Sequence, residues 1–425
     1  MSFPLQDRTE TDQLFQTRST CRLCASQDLQ QLWSFGTTPL ANAYLKPEQI
    51  GQSEAFVPLT VSQCATCHLV QMPHVVSPEI LFANYHYLSS TSPSFVAHFV
   101  QYAQALRQRF HLTEQSLVVD IGSNDGVLLK PLRDAGIRVL GIEPAQNIAA
   151  MALTEGIETI AQFFTPPLAS ALASSHGQAD IITANNVFAH TDTVDVFVAA
   201  VRTLLKPEGV FIFEVQYLGD LVEKNLFDIV YHEHLCYYHL TPLIPFFAAQ
   251  GLQVFDVERQ DVHGGSLRVF VQHQGGPHHP SARLSQILAA EEQQGLNRVA
   301  TYTDFAKRVA HNKHKLQTLI RTLKNDGKRI VGYGAPAKAT TLLYAFDIDH
   351  ILLDYIVDDD KKIKQGLVMP GNHIPIVAPE KLYKDKPDYC LILAWNFAQP
   401  IIQNHQRFTA QGGQFIIPIP EPTVV

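Results

Sequence analysis

Short apolar runs alternate with amphipathic segments through the middle of this 425-residue chain. A buried strand of a parallel sheet is apolar throughout, whereas a helix on the face of that sheet is apolar on one side only. Predicted strands and helices alternate, in chain order, in the segments SLVVDIG, GVLLKPLRDAG, RVLGIEP, AQNIAAMALTEG, ADIITANNVFAH, DVFVAAVRTLLKPEG and VFIFEVQYL. The last of these helices is expected to end at Gly209. The alternation predicts a Rossmann-like α/β domain.

The chain beyond this domain predicts a hairpin, a helical linker and a second α/β unit. LQVFDVERQDVHGGSLRVFVQ reads as two strands joined by a turn at His263–Gly265, which would close the first sheet. Residues 275–327 are polar with a helical pattern. A shorter strand–helix alternation follows from RIVGYGAPAKATTLLYAF to QFIIPIP, and it predicts a smaller Rossmann-like domain at the C-terminus.

Four of the six cysteines form two Cys-x-x-Cys pairs near the N-terminus, Cys21 with Cys24 and Cys64 with Cys67. In a reducing compartment such pairs indicate a metal site rather than disulfides. Four thiolates give Zn²⁺ a closed tetrahedral shell with no open position, so we expect a structural zinc. The expected domains are a zinc-binding domain at 1–80, the Rossmann-like α/β domain at 81–275, and a helical linker with the second α/β domain at 276–425.

Composition narrows the class of protein. Hydrophobic residues make up 46% of the chain and charged residues 17%, which is typical of a globular protein. A net charge of −8 argues against a nucleic-acid partner. The N-terminal sequence has neither a basic nor an apolar signal region, and no run reaches eighteen apolar residues. We therefore expect a cytoplasmic protein with no membrane partner.

The turn after the first predicted strand, DIGSNDG, indicates which cofactor this domain binds. A nicotinamide fingerprint would need glycines where the chain has Asn124 and Val127. An acidic strand end before a short glycine turn suits S-adenosylmethionine, which carries a sulfonium and an amino group but no phosphate. Glu143 at the next strand end could accept the ribose hydroxyls. The predicted cofactor residues are Asp120, Gly122, Asn124, Asp125, Gly126, Glu143, Pro144, Asn185 and Asn186.

Nearly the whole chain resembles the S-adenosylmethionine-dependent sugar C-methyltransferases, which act on nucleotide-linked 4-keto-deoxy sugars. The resemblance rests on the motifs CRLC with CATC, YHYLSST, DIGSNDG, GIEPA, NNVFAH, YHEH, HGGSLR and GYGAPAKA, which occur in this order. It implies methyl transfer to a sugar carbon, typically C3 of a dTDP-linked 4-keto sugar. It also implies an N-terminal four-cysteine zinc domain, a central methyltransferase domain and a C-terminal Rossmann-like domain.

The resemblance also implies roles for particular residues. The family's Tyr-x-Glu-His motif corresponds to Tyr231, Glu233 and His234, and its histidine after the fourth strand corresponds to His190. Its tyrosine ahead of the methyltransferase domain corresponds to Tyr85, with Tyr87 as a close neighbour that sequence alone does not separate from it.

A carbon beside a ketone must lose a proton before it can accept a methyl group, so a base and an oxyanion donor are needed. His234 is the candidate base, with Tyr231 and His190 as alternatives. Glu233 is expected to orient a neighbouring ring or hold a sugar substituent, while Tyr231, Tyr85 or His190 would bind the enolate oxygen.

Four positions are candidates for substrate binding: Tyr87, His263, Gly334 and Lys338. The turn at His263 is either a substrate contact or simply a hairpin, and Gly334 with Lys338 forms either a diphosphate cradle or a packing turn. The histidines at 232, 234 and 239 do not form the His-Glu-x-x-His motif of a metal-binding helix. A motif that begins at His232 would need its second histidine at position 236, where the chain has Cys236. Two other functions stay open, methylation of a substrate without a nucleotide and a zinc-stapled scaffold without activity.

Overall fold

The computed structural model describes residues 14–82, 88–91, 93–361 and 363–425. In chain order the strands are β1 Phe15–Thr17, β2 Leu29–Pro39, β3 Phe56–Cys64, β4 Val70–Gln71, β5 His74–Val76, β6 Leu117–Ile121, β7 Arg138–Ile142, β8 Thr159–Ile160, β9 Ala179–Asn185, β10 Leu205–Gln216, β11 Cys236–Tyr237, β12 Leu252–Gln260, β13 Ser266–His273, β14 Ile330–Tyr333, β15 Ile356–Val357, β16 Ile376–Val377, β17 Tyr389–Ile392, β18 Gln414–Ile417 and β19 Thr423–Val424.

The α-helices lie between these strands at Pro78–Phe82, Pro93–Arg109, Leu129–Asp134, Gln146–Thr154, Pro166–Ser175, Val194–Leu204, Leu218–Glu223, Leu240–Ala249, Ala282–Gln294, Val299–Asn325, Ala337–Ala345, Glu380–Asp385, Ala398–Asn404 and Gln406–Ala410. Among the described helices, none combines the length and the apolar character that crossing a membrane requires.

The central sheet has seven strands in the order β12-β13-β10-β9-β6-β7-β8. The five strands β10, β9, β6, β7 and β8 are all parallel to one another, and β13 is antiparallel to both β10 and β12. Every residue of β6 is buried, as expected for a strand covered by helices on both faces. The neighbours of β6 in the sheet are β7 on one side and β9 on the other, so the order of the strands reverses direction at β6. In sheets of this kind a ligand crevice forms at the carboxyl end of the strands at this switch point.

The second sheet is smaller and has the order β16-β15-β14-β17-β18-β19, with all pairs parallel except the last. Its own switch point lies at β14, which ends at Tyr333 and runs into the Gly334 turn and the helix Ala337–Ala345. The two α/β units predicted from the sequence are thus both present, and the predicted fold class is confirmed.

The N-terminal sheet has an unexpected member. Its order is β11-β4-β3-β2, with every pair antiparallel, so its edge strand β11 comes from the Tyr231–His239 stretch far along the chain. Cys236 pairs with Gln71, and Tyr237 pairs with Val70. The zinc region and the titratable cluster are therefore joined by backbone hydrogen bonds.

One predicted boundary differs from the structure. The helix that begins at Val194 ends at Leu204, and β10 starts at Leu205 instead of after Gly209. Leu205 is already extended, with φ −80° and ψ 133°. Pro207 lacks a backbone N–H and disfavours helical geometry in the residue before it, so the helix stops ahead of the Lys206–Pro207 pair. The hairpin at His263–Gly265 and the two linker helices agree with the prediction.

Candidate active site

A cleft of about 1790 Å³ opens where the carboxyl ends of both parallel sheets face the N-terminal region. All three regions contribute to its wall. The predicted site residues that line it are Asp120, Gly122, Asn124, Glu143, Pro144, Asn185, Asn186, His190, Tyr231, His234, His263, Gly334 and Lys338. Residues spread over more than two hundred positions of sequence therefore meet around one space.

The glycine turn after β6 fits closely under the loop that follows β9. Gly122 has φ +66°, and a Cβ atom there would lie 2.3 Å from Val187 Cγ2. Gly126 has φ +79° and packs against Ile157 in the same way. These glycines let the backbone turn tightly and leave the crevice above it open. Asn124 adopts a positive φ of 50°, which asparagine tolerates better than most residues.

Two buried carboxyl groups stand at the ends of β6 and β7. Asp120 Oδ1 accepts hydrogen bonds from Thr183 Oγ1 at 2.6 Å and Asn185 Nδ2 at 3.4 Å. Burial raises the pKa of Asp120 to about 7. Glu143 accepts from the backbone N–H groups of Asn124 at 3.0 Å and Ala145 at 2.9 Å, and burial raises its pKa.

The amide oxygens of Asn185 and Asn186 are buried at the cleft without a hydrogen-bond partner among the described residues. Buried acceptors of this kind need a donor, and the ammonium group of a bound amino acid moiety would supply one. With the carboxyl groups of Asp120 and Glu143 nearby, the crevice offers acceptors and negative charge to a cationic ligand. The residues present therefore fit S-adenosylmethionine.

Three titratable rings form one cluster on the cleft wall. The ring of His234 lies 4.1 Å from that of Tyr231 and 5.1 Å from that of His190, measured between centroids. His234 Nδ1 is 2.7 Å from the carbonyl oxygen of Ile229. A carbonyl can only accept, so Nδ1 carries the proton and Nε2 is the nitrogen with a free lone pair.

Burial keeps both histidines of this cluster neutral. Burial, together with the neighbouring His190, lowers the pKa of His234 well below its usual range. Burial alone lowers the pKa of His190 to about 4. The Nε2 atom of His190 has no partner among the described residues. Neutral imidazoles beside an open crevice can accept a proton or a hydrogen bond at neutral pH.

The third member of the Tyr-x-Glu-His motif makes a contact with a different region. Glu233 is buried, and its Oε1 accepts a hydrogen bond of 2.7 Å from Asn42 Nδ2 in the zinc-binding region. His232, the second residue of the motif, has its Nε2 3.1 Å from the Val57 carbonyl oxygen, and His239 is buried at the start of the helix Leu240–Ala249.

The opposite wall of the cleft belongs to the C-terminal unit. Gly334, with φ +84°, turns the chain after β14, and a Cβ there would lie 2.6 Å from that of Ala394. Lys338 Nζ stands 3.8 Å from the centre of the Trp395 ring and donates to Asn396 Oδ1 at 2.6 Å. Burial lowers the pKa of Lys338 to about 8. His263 lies at the hairpin with its ring edge against Phe95.

Some predicted residues lie apart from the cleft wall or outside the described part of the chain. Tyr85 and Tyr87 fall outside the described residues. Asp125 Oδ2 accepts from Ser90 N at 3.3 Å and so ties the segment before helix Pro93–Arg109 to the glycine turn. Asn124 Oδ1 makes the equivalent bond to Ser89 N at 2.9 Å.

The four N-terminal cysteines converge on one point. All four Sγ atoms lie within 4.8 Å of one another, and the Cys21–Cys67 and Cys24–Cys64 sulfurs are each 3.5 Å apart. A zinc ion with Zn–S bonds of about 2.3 Å requires sulfurs about 3.8 Å apart, so the donor set and geometry fit Zn²⁺.

The two Cys-x-x-Cys turns also match each other. Ala25 N bonds to the Cys21 carbonyl and His68 N to the Cys64 carbonyl, and both Ala25 and His68 have positive φ. None of the six cysteines forms a disulfide.

Family models cover each of these regions. Residues 21–82 match the model described as "Putative zinc binding domain", residues 95–257 match "Methyltransferase domain", and residues 261–420 match "C-methyltransferase C-terminal domain". The C-methyltransferase NovU of Streptomyces niveus is 39% identical over 405 residues, which is 95% of this chain and 96% of NovU. The chain belongs to this C-methyltransferase family, and it is an S-adenosylmethionine-dependent C-methyltransferase with a zinc-binding N-terminal region.

More distant similarities are confined to part of the chain. A ubiquinone biosynthesis O-methyltransferase of Bartonella quintana is 33% identical over 98 residues, 23% of this chain and 40% of its own. Among solved structures, the CcbJ methyltransferase of Streptomyces caelestis has a TM-score of 0.35 and 13% identity over 44% of this chain and 94% of its own. A score this low carries no argument about the reaction.

Several residues at the cleft were missed by the sequence reasoning. The end of β15 places Asp358 beside the Gly334 turn, where its Oδ2 accepts from Ala335 N at 2.7 Å. This repeats the contact of Glu143 with Asn124 N in the central sheet, so the rule that ligands bind at strand ends could have found it. Asn42 and Asp192 also line the cleft, but no local pattern marks them.

Proposed function

We propose that this enzyme transfers a methyl group to a carbon, C3, of a nucleotide-linked 4-keto-deoxy sugar, with dTDP as the nucleotide. The observation that carries the proposal is the shared cleft: the Tyr231–His234–His190 cluster lines the same cleft as the glycine turn of the central sheet and the Gly334–Lys338 turn. An acid–base cluster in that place suits a carbon that must be deprotonated next to the methyl donor.

His234 is the proposed base. Its Nδ1–H is held by the Ile229 carbonyl, so Nε2 can take the proton from C3. The electron pair of that C–H bond then delocalises onto the C4 carbonyl oxygen as an enolate. Tyr231 or His190 would donate to this oxygen, because donors aimed at a developing oxyanion lower the barrier. Tyr85 is a further proposed donor.

S-adenosylmethionine, when bound, supplies an electrophilic methyl group on a sulfonium. Transfer of that methyl group to the enolate carbon would leave the cofactor as a neutral thioether. The proposed cofactor contacts are those of the glycine turn and the strand ends, namely Asp120, Gly122, Asn124, Asp125, Gly126, Glu143, Pro144, Asn185 and Asn186.

The nucleotide is proposed to bind the C-terminal wall. Lys338 presents an ammonium group at the start of the helix Ala337–Ala345, and Gly334 lets the backbone approach a diphosphate closely. His263 and Tyr87 are proposed to contact the sugar. On this view the regions 1–80, 81–275 and 276–425 serve respectively as the zinc, methyltransferase and nucleotide-binding domains.

The substrate is tested directly by incubating the enzyme with a panel of 4-keto nucleotide sugars and methyl-labelled S-adenosylmethionine. Mass spectrometry should detect one added labelled methyl group on the sugar of a dTDP-linked member. Methylation of only nucleotide-free ketones, or of none of the panel, would contradict the proposal.

The role of His234 is tested by His234→Asn, which keeps approximate size and polarity but cannot take the proton. Turnover should fall by roughly 10²–10⁴, the usual contribution of a general base. Solvent-deuterium exchange at the sugar carbon, followed by NMR in the presence of S-adenosylhomocysteine, isolates deprotonation from methyl transfer. If the variant exchanges this proton as fast as the wild type, the base is Tyr231 or His190 instead.

A further inference from the structure

The zinc-binding region reaches the catalytic cluster through one side chain. Asn42 follows β2 and has a positive φ of 58°, a conformation that asparagine adopts more readily than most residues. It lines the cleft, and its Nδ2 lies 2.7 Å from Glu233 Oε1. A residue near the N-terminus thus donates a hydrogen bond to the carboxylate of the Tyr-x-Glu-His motif.

A second side chain, Tyr44, lies beside the Asn42 amide. The hydroxyl of Tyr44 donates to the Ala335 carbonyl at 2.5 Å and lies 3.4 Å from Asn42 Oδ1. A carboxylate can only accept, so Glu233 sets the orientation of the Asn42 amide, with Nδ2 towards the carboxylate and Oδ1 towards Tyr44. Ala335 follows Gly334 directly, so the contact also joins the zinc-binding region to the proposed nucleotide turn.

Glu233 depends on such a donor because it is buried, with 3% of its surface exposed. A buried carboxylate is costly unless hydrogen-bond donors compensate for lost water. A neutral amide satisfies the carboxylate without adding a charge beside the reacting groups. Glu233 lies in the sequence between Tyr231 and His234, whose ring centroids are 4.1 Å apart in the cleft.

We propose that Asn42 is a positioning residue for methyl transfer: its side-chain amide fixes the Glu233 carboxylate, and Tyr44 couples this contact to the Gly334–Ala335 turn. This inference rests on the proposed function. It gives the zinc-binding region a task in the reaction, since Asn42 donates a hydrogen bond to the carboxylate of the motif.

The test is Asn42→Asp, which keeps the shape of the side chain and tolerates positive φ. Two carboxyl groups at hydrogen-bond distance share a proton at low pH, and they repel each other once both are ionised at high pH. At pH 8 we expect kcat to fall roughly 10- to 100-fold with KM little changed, the worth of one hydrogen bond to a charged group. Near pH 6 a protonated Asp can donate as the amide did, so activity should recover towards wild type.

Other titratable groups surround this contact, namely Tyr44, Asp358, Asp360 and Lys364, together with Tyr231, His232 and His234 on the motif's own loop. Because these groups are present in both proteins, their contribution to the pH dependence of kcat cancels in the ratio of variant to wild-type kcat at each pH. Asn225→Asp is the matched control: Asn225 also has positive φ, 55°, but does not belong to the cleft wall. Its profile should follow the wild type.

Melting temperature and zinc content establish that the variant is folded. If Asn42→Asp does not fold, Asn42→Gly keeps the backbone conformation and removes the donor, and kcat should fall about tenfold at every pH. An Asn42→Asp profile parallel to wild type, or an Asn42→Gly enzyme within twofold of it, overturns the inference. Failure of the proposed function would look different, since wild-type enzyme would then methylate no nucleotide sugar.

Discussion

Asp120, a proposed cofactor contact, illustrates how burial changes the pKa of a single carboxyl group. The group sits at the end of a strand that is buried on both faces, and the desolvation raises its pKa to about 7. Thr183 and Asn185 donate to its Oδ1 and partly offset that shift. The free enzyme therefore carries, at the proposed cofactor site, a carboxyl group that changes charge within the physiological pH range.

We predict that S-adenosylmethionine binds more weakly as the pH falls below 7. A cationic ligand favours the ionised carboxylate, and below pH 7 the free protein must first lose a proton. The apparent Kd should rise by up to about tenfold per pH unit on the acid side and level off above the pKa. Calorimetric titrations between pH 5.5 and 8.5 measure this.

Asp120→Asn is the control for this prediction. It should bind the cofactor less tightly at pH 8 and show a flat pH profile, because the titrating group is gone. A wild-type Kd that stays constant from pH 8 to pH 5.5 would show that another group compensates the cofactor charge.

At the scale of elements, the sequence predicted well wherever burial imposes a local pattern. Strands such as Leu117–Ile121 are apolar throughout because helices cover both faces, and their length and flanking glycines separate them from helices. The two Cys-x-x-Cys turns were equally readable, since the metal imposes their spacing. Local patterns of this kind are sufficient to predict the fold class, the glycine turn and the candidate zinc ligands.

Strand β11 shows where local pattern ends. It has only two residues, too few for any periodicity, and its partner β4 lies far away in the sequence. The Tyr231–His239 stretch was recognised by its chemistry alone. Its attachment to the zinc-binding sheet is decided by tertiary hydrogen bonding, which single-sequence patterns do not contain.

A second attachment runs through the zinc turn itself. Arg22 lies between Cys21 and Cys24, and its side chain is fully buried. Its Nε donates to Asp192 Oδ1 at 3.0 Å and its Nη1 to the Met72 carbonyl at 2.7 Å. Asp192 lies two residues after His190 on the loop that lines the cleft. The metal turn thus holds the loop that carries one of the proposed catalytic groups.

We predict that Arg22→Gln lowers kcat on the order of tenfold, the worth of one charge-assisted hydrogen bond, because the His190 loop loses its anchor. Zinc content should stay at one ion per chain, since Arg22 supplies no ligand. Arg18→Gln is the matched control: it also pairs with Asp192, at 3.3 Å, but its side chain is 25% exposed. Solvent screening makes such a pair weak, so the control should stay within twofold of wild type.

Steady-state kinetics with the sugar nucleotide that the enzyme methylates, and metal analysis of the same samples, separate the two outcomes. Wild-type turnover in Arg22→Gln would mean that the zinc region acts only on stability. Loss of zinc together with loss of turnover would instead place Arg22 among the residues that hold the metal turn closed.

At the scale of the whole molecule, one cleft is assembled from three regions that are distant in the sequence. Asn42, Tyr231 and Lys338 line it together, although almost two hundred residues separate the first two and more than a hundred the second and third. Each region has its own readable pattern, and the sequence could place candidate residues on each. Their convergence depends on packing between regions, so Asn42, Arg22 and Asp358 escaped prediction.

This assembly predicts that the nucleotide portion of the substrate stabilises the whole chain through Lys338. The Nζ atom sits against Trp395 and Asn396 at the cleft wall, and burial lowers its pKa to about 8. At pH 7 the ammonium is charged and attracts a diphosphate, so dTDP at about 100 times its Kd should stabilise the protein by about 2.7 kcal/mol. Differential scanning fluorimetry with and without dTDP measures the shift in melting temperature.

Above pH 8 Lys338 loses its proton, so the shift in melting temperature should shrink as the pH rises from 7 to 9.5. Lys338→Met keeps the length of the side chain without its charge and should abolish most of the shift, whereas Lys384→Met, on an exposed helix of the same unit, should leave it unchanged. A dTDP-induced shift that is equal in Lys338→Met and wild type would move the diphosphate to another part of the cleft.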